Sequence, residues 1–390
     1  MIHKIKSIFQ STQFRLFISL FLFLFASFFI FPEFFSSKVS YPIKASELDE
    51  KSDTIADSIK KMFTPAAFPP FDAVLYDKLI NELANNPPPK APTTKVVKDP
   101  KTGLESVVTV EPKPAPPSLW PMRTVYPNPG AILPFGRIVA YYGNLYSTKM
   151  GALGEYPEEE MFRRLDIEVK KWTAADPNTP VVPALHYIAV VAQATAGKDG
   201  KYRARMPESE IEKVLVMAKK INALVFLDLQ VGFSTLQIEV PLLEKYLKLP
   251  NVHLGVDPEF SMKNGIRPGK VVGTLDAVDI NFAANFLAKV VKENNLPPKV
   301  LVVHRYTQKM VTNYKQIKAL PEVQIVMHMD GWGGAAKKRN TYQQFVYKEP
   351  VQFTGFKLFY KNDLLTPGTT LMTPEDLLKL SPRPIYIQYQ

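Results

Sequence analysis

The sequence predicts a (β/α)8 TIM barrel that lacks its last helix, preceded by an N-terminal apolar anchor and a Pro-rich accessory region. After Arg137, short apolar runs alternate with amphipathic stretches, the pattern of parallel strands joined by crossover helices. Eight such strand segments fit the rest of the chain, which has the usual barrel length of about 250 residues. A doubly wound open sheet is the runner-up, but the glycine-rich phosphate loop typical of that fold does not follow the first strand segment.

The barrel is assigned to residues 138–390. Its predicted strands are 138–144, 181–188, 223–230, 252–260, 300–306, 323–330, 353–360 and 384–389. Helical segments between them are predicted at 158–175, 208–222, 236–247, 275–294, 309–320, 341–347 and 374–379. No helical segment follows the eighth strand in this sequence, so we expect helices of the accessory region to cover the gap in the outer ring.

The accessory region, residues 36–137, is rich in proline, since 18 of the 35 prolines precede Arg137. Apolar spacing within it predicts helices at 53–63 and 71–83. A further pair of segments with turn residues between them predicts a β-hairpin, formed by 94–97 and 106–110. No catalytic motif stands out there, and we expect this region to act as spacer and packing cover.

Residues 1–35 have the features of an export signal. Lys4, Lys6 and Arg15 precede an almost unbroken apolar run over residues 16–31, and basic residues ahead of such a run place the rest of the chain outside the cytoplasm. The run is shorter than the ~20 residues of a comfortable membrane span, so a cleaved signal peptide and a retained anchor both stay open. We expect an exported protein, membrane-anchored and facing outside the cytoplasm, or secreted if the signal is cleaved.

The composition narrows the classes of protein that fit. The chain has 390 residues, no cysteine and a formal net charge of +11. The absence of cysteine excludes disulfides, thiolate metal sites and a cysteine nucleophile. The basic balance favours anionic partners such as headgroups or acidic wall polymers. Because the basic residues form no stripe interleaved with stacking aromatics, we expect no nucleic-acid binding.

Polar residues collect at the C-terminal ends of the predicted strands, where barrels of this class carry their sites. Outward positions that meet helices should be apolar, so strand alternation assigns the opposite set to the interior. This inward set is Tyr142, Asn144, His186, Asp228, Gln230, Asp257, Glu259, His304, Tyr306, His328, Asp330, Lys357 and Gln388. Buried charges are costly unless they are paired or used, and the set therefore predicts a functional pocket at this end of the barrel.

The clearest chemical signal is the pair Asp257 and Glu259 at the end of the predicted strand 252–260. Two carboxyl groups on one face raise each other's pKa, which leaves a proton donor near neutral pH. The opening of the barrel at the C-terminal ends of its strands is called the mouth. Asp228 and Asp330 offer a second carboxylate across this mouth, as needed to flank a glycosidic bond. The predicted catalytic residues are Glu259, Asp257, Asp228 and Asp330.

The remaining inward residues, together with Trp332, are predicted to bind substrate. They are Tyr142, Asn144, His186, Gln230, His304, Tyr306, His328, Trp332, Lys357 and Gln388. Aromatic rings near the strand ends are able to stack on sugar rings, although each ring alone is more often loop packing. The glycine-containing stretches 143–156 and 330–334 are loops over the site or ordinary turns. As an alternative to catalysis, Lys357 or Arg305 neutralises one acid of the pair.

Several motifs lie along the barrel, among them Tyr141-Tyr142-Gly143-Asn144, Val256-Asp257-Pro258-Glu259-Phe260 and Met327-His328-Met329-Asp330-Gly331. With them, residues 134–390 resemble a family of uncharacterised exported bacterial proteins described as hypothetical or putative lipoproteins. The resemblance implies an extracytoplasmic TIM barrel and brings no activity, and the lack of cysteine departs from the lipoprotein label.

More distantly, the acid-any-acid end of the fourth strand is similar to chitinase-type and lysozyme-type glycoside hydrolase barrels. This resemblance implies that Glu259 is the proton donor and Asp257 its partner. Two features depart from the pattern. The longer acidic run of chitinases is absent, and the seventh strand ends in Lys357 instead of the glutamate nucleophile of common retaining barrels.

The leading expectation is an extracytoplasmic glycoside hydrolase-like protein that acts on an envelope or extracellular glycan by carboxylate acid/base catalysis, without metal or cofactor. Its expected partners are that glycan and, through the N-terminal segment, a membrane. One alternative is a metal-dependent hydrolase, although neither a His-x-His nor a His-Glu-x-x-His motif occurs. Its candidate ligands are His186, Asp228, Asp257, His304, His328 and Asp330. Another alternative is a non-catalytic barrel that binds glycan or protein.

Overall fold

The alternation of apolar and amphipathic segments produces a closed barrel of eight parallel strands in the computed structural model. Strands that follow one another along the chain are paired, and the eighth pairs with the first. This confirms the predicted fold class and excludes the open sheet. The strands are β1 Arg137–Gly143, β2 Val181–Ala192, β3 Leu224–Leu229, β4 Val252–Val256, β5 Lys299–Arg305, β6 Val323–Met329, β7 Phe353–Leu358 and β8 Tyr386–Tyr389.

The structure describes residues 68, 70–88, 91–98, 100, 103–112 and 118–390. The segment predicted as an anchor, 1–35, and the helix predicted at 53–63 lie outside the described residues. Within the described part of the chain, no helix has both the length and the apolar character needed to cross a bilayer.

Five helices of eight or more residues occur in the described ranges: α1 Ala73–Ala84, α2 Glu158–Ala175, α3 Glu208–Lys220, α4 Ala277–Asn294 and α5 Ala335–Tyr342. Single-turn helices lie at Ala152–Glu155, Leu236–Glu239, Glu244–Leu247 and Pro374–Leu378. Local sequence explains where several of them begin. Asp276 and Asp279 form a capping box at the start of α4, and Thr373 and Asp376 form one ahead of Pro374.

Two predicted helices are not continuous helices in the structure. The segment 236–247 is divided by the 3₁₀ turn Pro241–Leu243, since proline cannot donate the backbone hydrogen bond that a helix interior needs. The helix predicted at 309–320 is wrong. Asn313 adopts a left-handed conformation with φ of 56°, and Val311–Thr312 pairs in parallel with Leu275–Asp276 as a short strand.

The N-terminal half of the barrel interior is mostly apolar, although the buried His253 ring also packs against Phe226 there. Its buried cluster contains Ile138, Ala140, Ala184, Phe226, Val300, Val302, Val326, Phe353 and Tyr386. Tyr76 and Ile80 of α1 pack against this cluster, and the carbonyl of Leu83 accepts a hydrogen bond from the backbone of Arg383, 2.7 Å away, just before β8. Helix α1 therefore closes the N-terminal end of the barrel. We expected helices of the accessory region to cover the gap that the missing eighth helix leaves in the outer ring. Helix α1 packs on the end of the barrel instead.

Two further pairings complete the described structure. Thr93–Lys98 and Glu105–Val110 form the predicted antiparallel hairpin, and all of their residues are exposed. Arg203–Arg205 adds an antiparallel strand at the end of β2, which the sequence did not indicate.

Candidate functional site

Four polar side chains from alternate strands form one layer near the C-terminal end of the barrel. The Tyr142 hydroxyl donates to Asp228 Oδ2 over 3.0 Å, and His304 Nε2 lies 3.3 Å from Asp228 Oδ1. Lys357 Nζ stands 3.8 Å from the centroid of the Tyr142 ring. Alternate strands of such a barrel contribute the side chains of one layer, so the polar layer follows directly from the parity of these four strands.

Asp330 at the end of β6 joins this layer to the mouth. Its Oδ2 lies 2.8 Å from His304 Nδ1, and its Oδ1 lies 3.0 Å from Lys357 Nζ. Burial alone would raise the pKa of the Asp330 carboxyl, but Lys357 and His304 hold it well below the usual range. Asp330 is therefore an ionised carboxylate at the base of the mouth.

His186 and His328 occupy the next layer down. His186 Nδ1 lies 2.6 Å from the Tyr386 hydroxyl and 3.0 Å from Gln388 Nε2, and its Nε2 lies 3.2 Å from Asp228 Oδ1. The two ring nitrogens of His328 have no hydrogen-bond partner among the described residues. All of these imidazoles are completely buried.

The two histidines that contact Asp228 have pKa values shifted in opposite directions. Burial lowers the pKa of His186 to about 4. Burial would also lower the pKa of His304, but Asp228 and Asp330, on either side of its ring, raise it to about 10. Burial would raise the pKa of Asp228, whereas His304 and His186 hold it well below its usual range. The two carboxylates beside the His304 ring thus favour a positive charge at this position.

Two glycines make room for this cluster. Gly255 lies beside Asp228 in the sheet, and a Cβ on it would come within 2.3 Å of Asp228 Oδ1 and 2.4 Å of His186 Nε2. Gly355 lies beside His328, and a Cβ on it would come within 2.6 Å of His328 Nδ1. Because no side chain fits at these distances, the layers need glycine at both positions.

Asp257 and Glu259 reach the mouth by a different route from the predicted strand 252–260. Strand β4 ends at Val256, and Pro258–Phe260 forms one 3₁₀ turn, so strand alternation does not govern Glu259. Asp257 caps this turn, since its Oδ1 accepts a hydrogen bond from the Glu259 backbone over 3.0 Å. The turn still directs the Glu259 carboxyl to the Tyr306 hydroxyl, with which it shares a hydrogen bond.

The two acids of this turn titrate abnormally. Burial, reinforced by the charge of Asp330, raises the pKa of Glu259 to about 7, although the Tyr306 hydrogen bond lowers it. Burial also raises the pKa of Asp257 well above its usual value, and Glu259 adds to that rise. Glu259 is partly exposed, as are Tyr306 and Trp332, whereas Asp257 is only 4% exposed. A carboxyl group with a raised pKa and partial access to solvent therefore lies at the mouth.

Some predicted site residues are occupied elsewhere. Asn144 donates to the carbonyl of Ile188 and accepts from the backbone of Tyr146, so both ends of its amide hold the loop after β1. Gln230, by contrast, joins the polar layer, since it donates to the Tyr142 hydroxyl over 3.2 Å. Arg305 lies on the outer face of the barrel and pairs with Glu349. It does not neutralise either acid of the pair.

Two residues of the cluster were not singled out from the sequence. Tyr386 is two positions before Gln388 on the same strand face, so parity would have indicated it. Lys338 on α5 is 1% exposed and donates to the carbonyl of Lys357 over 2.7 Å and to Asp363 over 2.5 Å. A lysine on an outer helix is normally solvated, and its sequence carries no sign of this buried role.

Three solved structures with low sequence identity to this chain illustrate what it is similar to. No family model and no curated protein matches the chain, so the resemblance to exported bacterial proteins stays an expectation. A cellulase named Cel5C_n matches with a TM-score of 0.35 and 11% identity over 65% of this chain and 75% of that chain. A putative alpha-L-fucosidase from Bacteroides thetaiotaomicron matches with a TM-score of 0.32 and 10% identity over 72% of this chain and 91% of that chain.

A third solved structure, the C-terminal domain of Legionella pneumophila ChiA, matches with a TM-score of 0.23 and 11% identity, covering 61% of this chain and 62% of that chain. The cellulase and the fucosidase are glycoside hydrolases by name. At these TM-scores the likeness does not define an activity for this chain. The chemistry of its site rests on its own side chains.

Proposed function

We propose that this protein is an exported glycoside hydrolase-like enzyme that cleaves a glycosidic bond in an envelope or extracellular glycan. The observation that carries the proposal is a pair of carboxyl groups in opposite surroundings at the ends of β4 and β6. Glu259 is partly exposed, hydrogen-bonded to Tyr306 and close to Asp257 and Asp330, while Asp330 forms an ion pair with Lys357. Two carboxyl groups whose pKa values are shifted in opposite directions are suited to the roles of proton donor and charged partner in glycoside hydrolysis.

In this proposal Glu259 protonates the oxygen of the leaving sugar. Its pKa, raised to about 7, leaves a large fraction of it protonated up to neutral pH, and its partial exposure lets it reach a substrate at the mouth. Asp330 supplies fixed negative charge, which stabilises the positive charge that develops on the sugar ring in the transition state. Tyr306 and Trp332, which follow the ends of β5 and β6, are partly exposed aromatic rings that would offer flat surfaces for sugar rings, although Lys337 Nζ lies over the Trp332 ring, 4.6 Å from its centroid.

The two other predicted catalytic acids have positioning roles in this proposal. Asp228 is fully buried beneath the mouth and holds Tyr142 and two histidines. Asp257 fixes the turn that carries Glu259. A metal-dependent hydrolase is less favoured, because a catalytic metal keeps a position open to substrate and the His186, Asp228 and His304 side chains are all completely buried.

The proposal that the protein is exported rests on the sequence of residues 1–35, where basic residues precede the apolar run. A glycan outside the cytoplasm is the substrate class consistent with that location. The basic net charge of +11 also favours acidic polymers among such glycans.

The test is a search for cleavage by the full chain. Purified protein is incubated with envelope and extracellular glycan preparations, and new reducing ends are measured. We expect the wild type to release them and Glu259→Gln to lose at least about 100-fold in rate, because general acid catalysis contributes that much. Glu168→Gln is the matched control, since Glu168 is a buried glutamate on α2 that pairs with Lys171 and accepts a hydrogen bond from Tyr360, and none of these residues is part of the proposed machinery. A Glu259→Gln protein as active as the wild type would remove Glu259 from the acid role.

A further inference from the structure

Three donor atoms converge in the barrel below the acids of the mouth. His186 Nε2 lies 3.2 Å and His304 Nε2 lies 3.3 Å from Asp228 Oδ1, and all three atoms lie within 4.8 Å of one another. We propose that these atoms bind one divalent first-row transition ion, with zinc as the best fit. This site goes beyond the proposed glycan cleavage and does not depend on it.

The first support is that these atoms are close but not aligned as ordinary hydrogen bonds. His186 Nε2, Asp228 Oδ1 and His304 Nε2 are all buried side-chain atoms without a hydrogen-bond partner in the described structure. At such separations an aligned N–H would form an ordinary hydrogen bond, so the alignment is what is missing. Buried polar atoms are rarely left without a partner, and a shared cation would satisfy all three at once.

The second support is the opposite end of each side chain. His304 Nδ1 lies 2.8 Å from Asp330, His186 Nδ1 lies 2.6 Å from the Tyr386 hydroxyl, and Asp228 Oδ2 accepts from Tyr142 over 3.0 Å. Metal-binding histidines are typically held in this way, with the second ring nitrogen hydrogen-bonded to a carboxylate or another polar group. Each of the three side chains is thus oriented by one atom and presents the other to the common point.

The third support is distance. Tetrahedral zinc binds nitrogen and oxygen at about 2.0–2.1 Å, which places neighbouring ligand atoms about 3.3 Å apart. The two separations from Asp228 Oδ1, 3.2 Å and 3.3 Å, match this spacing. Two imidazoles and one carboxylate suit zinc and its first-row neighbours, whereas calcium and magnesium prefer sites made of oxygen alone.

The charge of Asp228 is also consistent with a cation at this point. Within the described residues, Asp228 forms no ion pair with lysine or arginine, and its contacts of this kind are to His186 and His304. A buried carboxylate without compensating charge is strongly unfavourable. The compensating charge is either a proton on His304 or a bound ion, and the unaligned nitrogens and oxygen favour the ion. Since all three side chains are completely buried, the ion would be enclosed in the barrel and would stabilise the fold.

The test is the metal content of the full chain, produced in zinc-supplemented medium, purified without chelators and measured by elemental mass spectrometry. Zinc is the probe, and cobalt-supplemented medium gives a second sample in which bound cobalt shows visible absorption. The variants are Asp228→Asn and His304→Gln, each of which removes one ligand atom. The matched control is His328→Gln, which removes a buried imidazole from the same barrel that is outside the ligand set. Circular dichroism checks that each protein is folded.

We expect about one zinc per wild-type chain and per His328→Gln chain, and at least about tenfold less in the ligand variants, because loss of a ligand removes most of the affinity. If the ligand variants do not fold, the wild type alone decides, since about one ion per chain and a cobalt spectrum typical of nitrogen and oxygen ligands support the site. A folded wild type with no more metal than buffer controls would overturn the proposal, and so would a folded His328→Gln protein that loses its zinc.

Discussion

Replacing Glu259 by glutamine should stabilise the folded protein above neutral pH, although it removes the proposed acid. The folded environment raises the pKa of Glu259 from an ordinary value of 4.5 to about 7. The groups that face it are Asp257, Asp330, Tyr306, Lys357 and His304. A carboxyl whose pKa is raised by folding binds its proton more tightly in the folded than in the unfolded state. Its contribution to stability is therefore lost as the pH rises from 4.5 to about 7.

The size of the effect follows from the same pKa values. A rise from 4.5 to about 7 corresponds to about 3 kcal/mol of unfolding free energy, at about 1.4 kcal/mol for each pH unit. Glutamine has nearly the same shape and no charge, so it avoids this cost. We expect Glu259→Gln to match the wild type at about pH 4 and to be more stable by about 2–3 kcal/mol at about pH 8.

Urea unfolding of both full-length proteins, followed by circular dichroism at about pH 4 and about pH 8, measures this difference. Glu168→Gln, for a buried glutamate that is not part of the proposed machinery, should show no comparable gain at the higher pH. If Glu259→Gln is no more stable than the wild type at about pH 8, then Glu259 is an ordinary ionised carboxylate and the basis for its acid role is gone.

Two further changes test the surroundings of the acids. Lys357→Met removes the ammonium that pairs with Asp330 over 3.0 Å. We expect the unfolding free energy, measured by urea unfolding, to fall by about 3 kcal/mol, because a buried carboxylate loses its partner. A loss below about 1 kcal/mol would contradict this ion pair. Tyr306→Phe removes the hydroxyl that lowers the pKa of Glu259. Because the proposed acid then keeps its proton to higher pH, we expect the alkaline limb of the pH profile of kcat/KM to move to higher pH. A profile that does not move would show that this hydrogen bond is absent.

The fold was largely predictable because its signal is periodic. Parallel strands covered on both sides are apolar runs of about six residues, and eight of them recur after Arg137. The predictions that failed concern where single strands and helices begin and end. The end of β4 was placed too late, because Asp257 and Glu259 keep the alternation of a strand although Pro258 turns the chain. The helix predicted at 309–320 failed because Asn313 takes a left-handed conformation, which its periodicity does not reveal.

The site was predictable to the extent that strand parity determines it. Inward polar positions on β1, β3, β5 and β7 form the layer of Tyr142, Asp228, His304 and Lys357, as alternation indicates. Parity does not determine which partner each side chain selects. The sequence left open whether Lys357 neutralises the acid pair, and the structure joins it to Asp330. Such choices depend on the tilt and stagger of strands that are far apart in sequence.

The ligand triangle below the mouth shows the same limit. His186, Asp228 and His304 come from three strands, so metal-binding motifs with short spacing could not reveal them. Gly255 carries a further signal, because a glycine inside a strand often marks close approach by another group. In the structure that approach is made by Asp228 and His186.

The central claim is that Glu259 donates a proton to the leaving sugar. The most direct measurement compares kcat/KM of the wild type and Glu259→Gln on the cleaved glycan and on a dinitrophenyl glycoside of the same sugar, whose leaving group needs no proton. We predict a loss of about 10²- to 10⁴-fold on the glycan and of less than about tenfold on the dinitrophenyl glycoside. Equal losses on both substrates would contradict the claim.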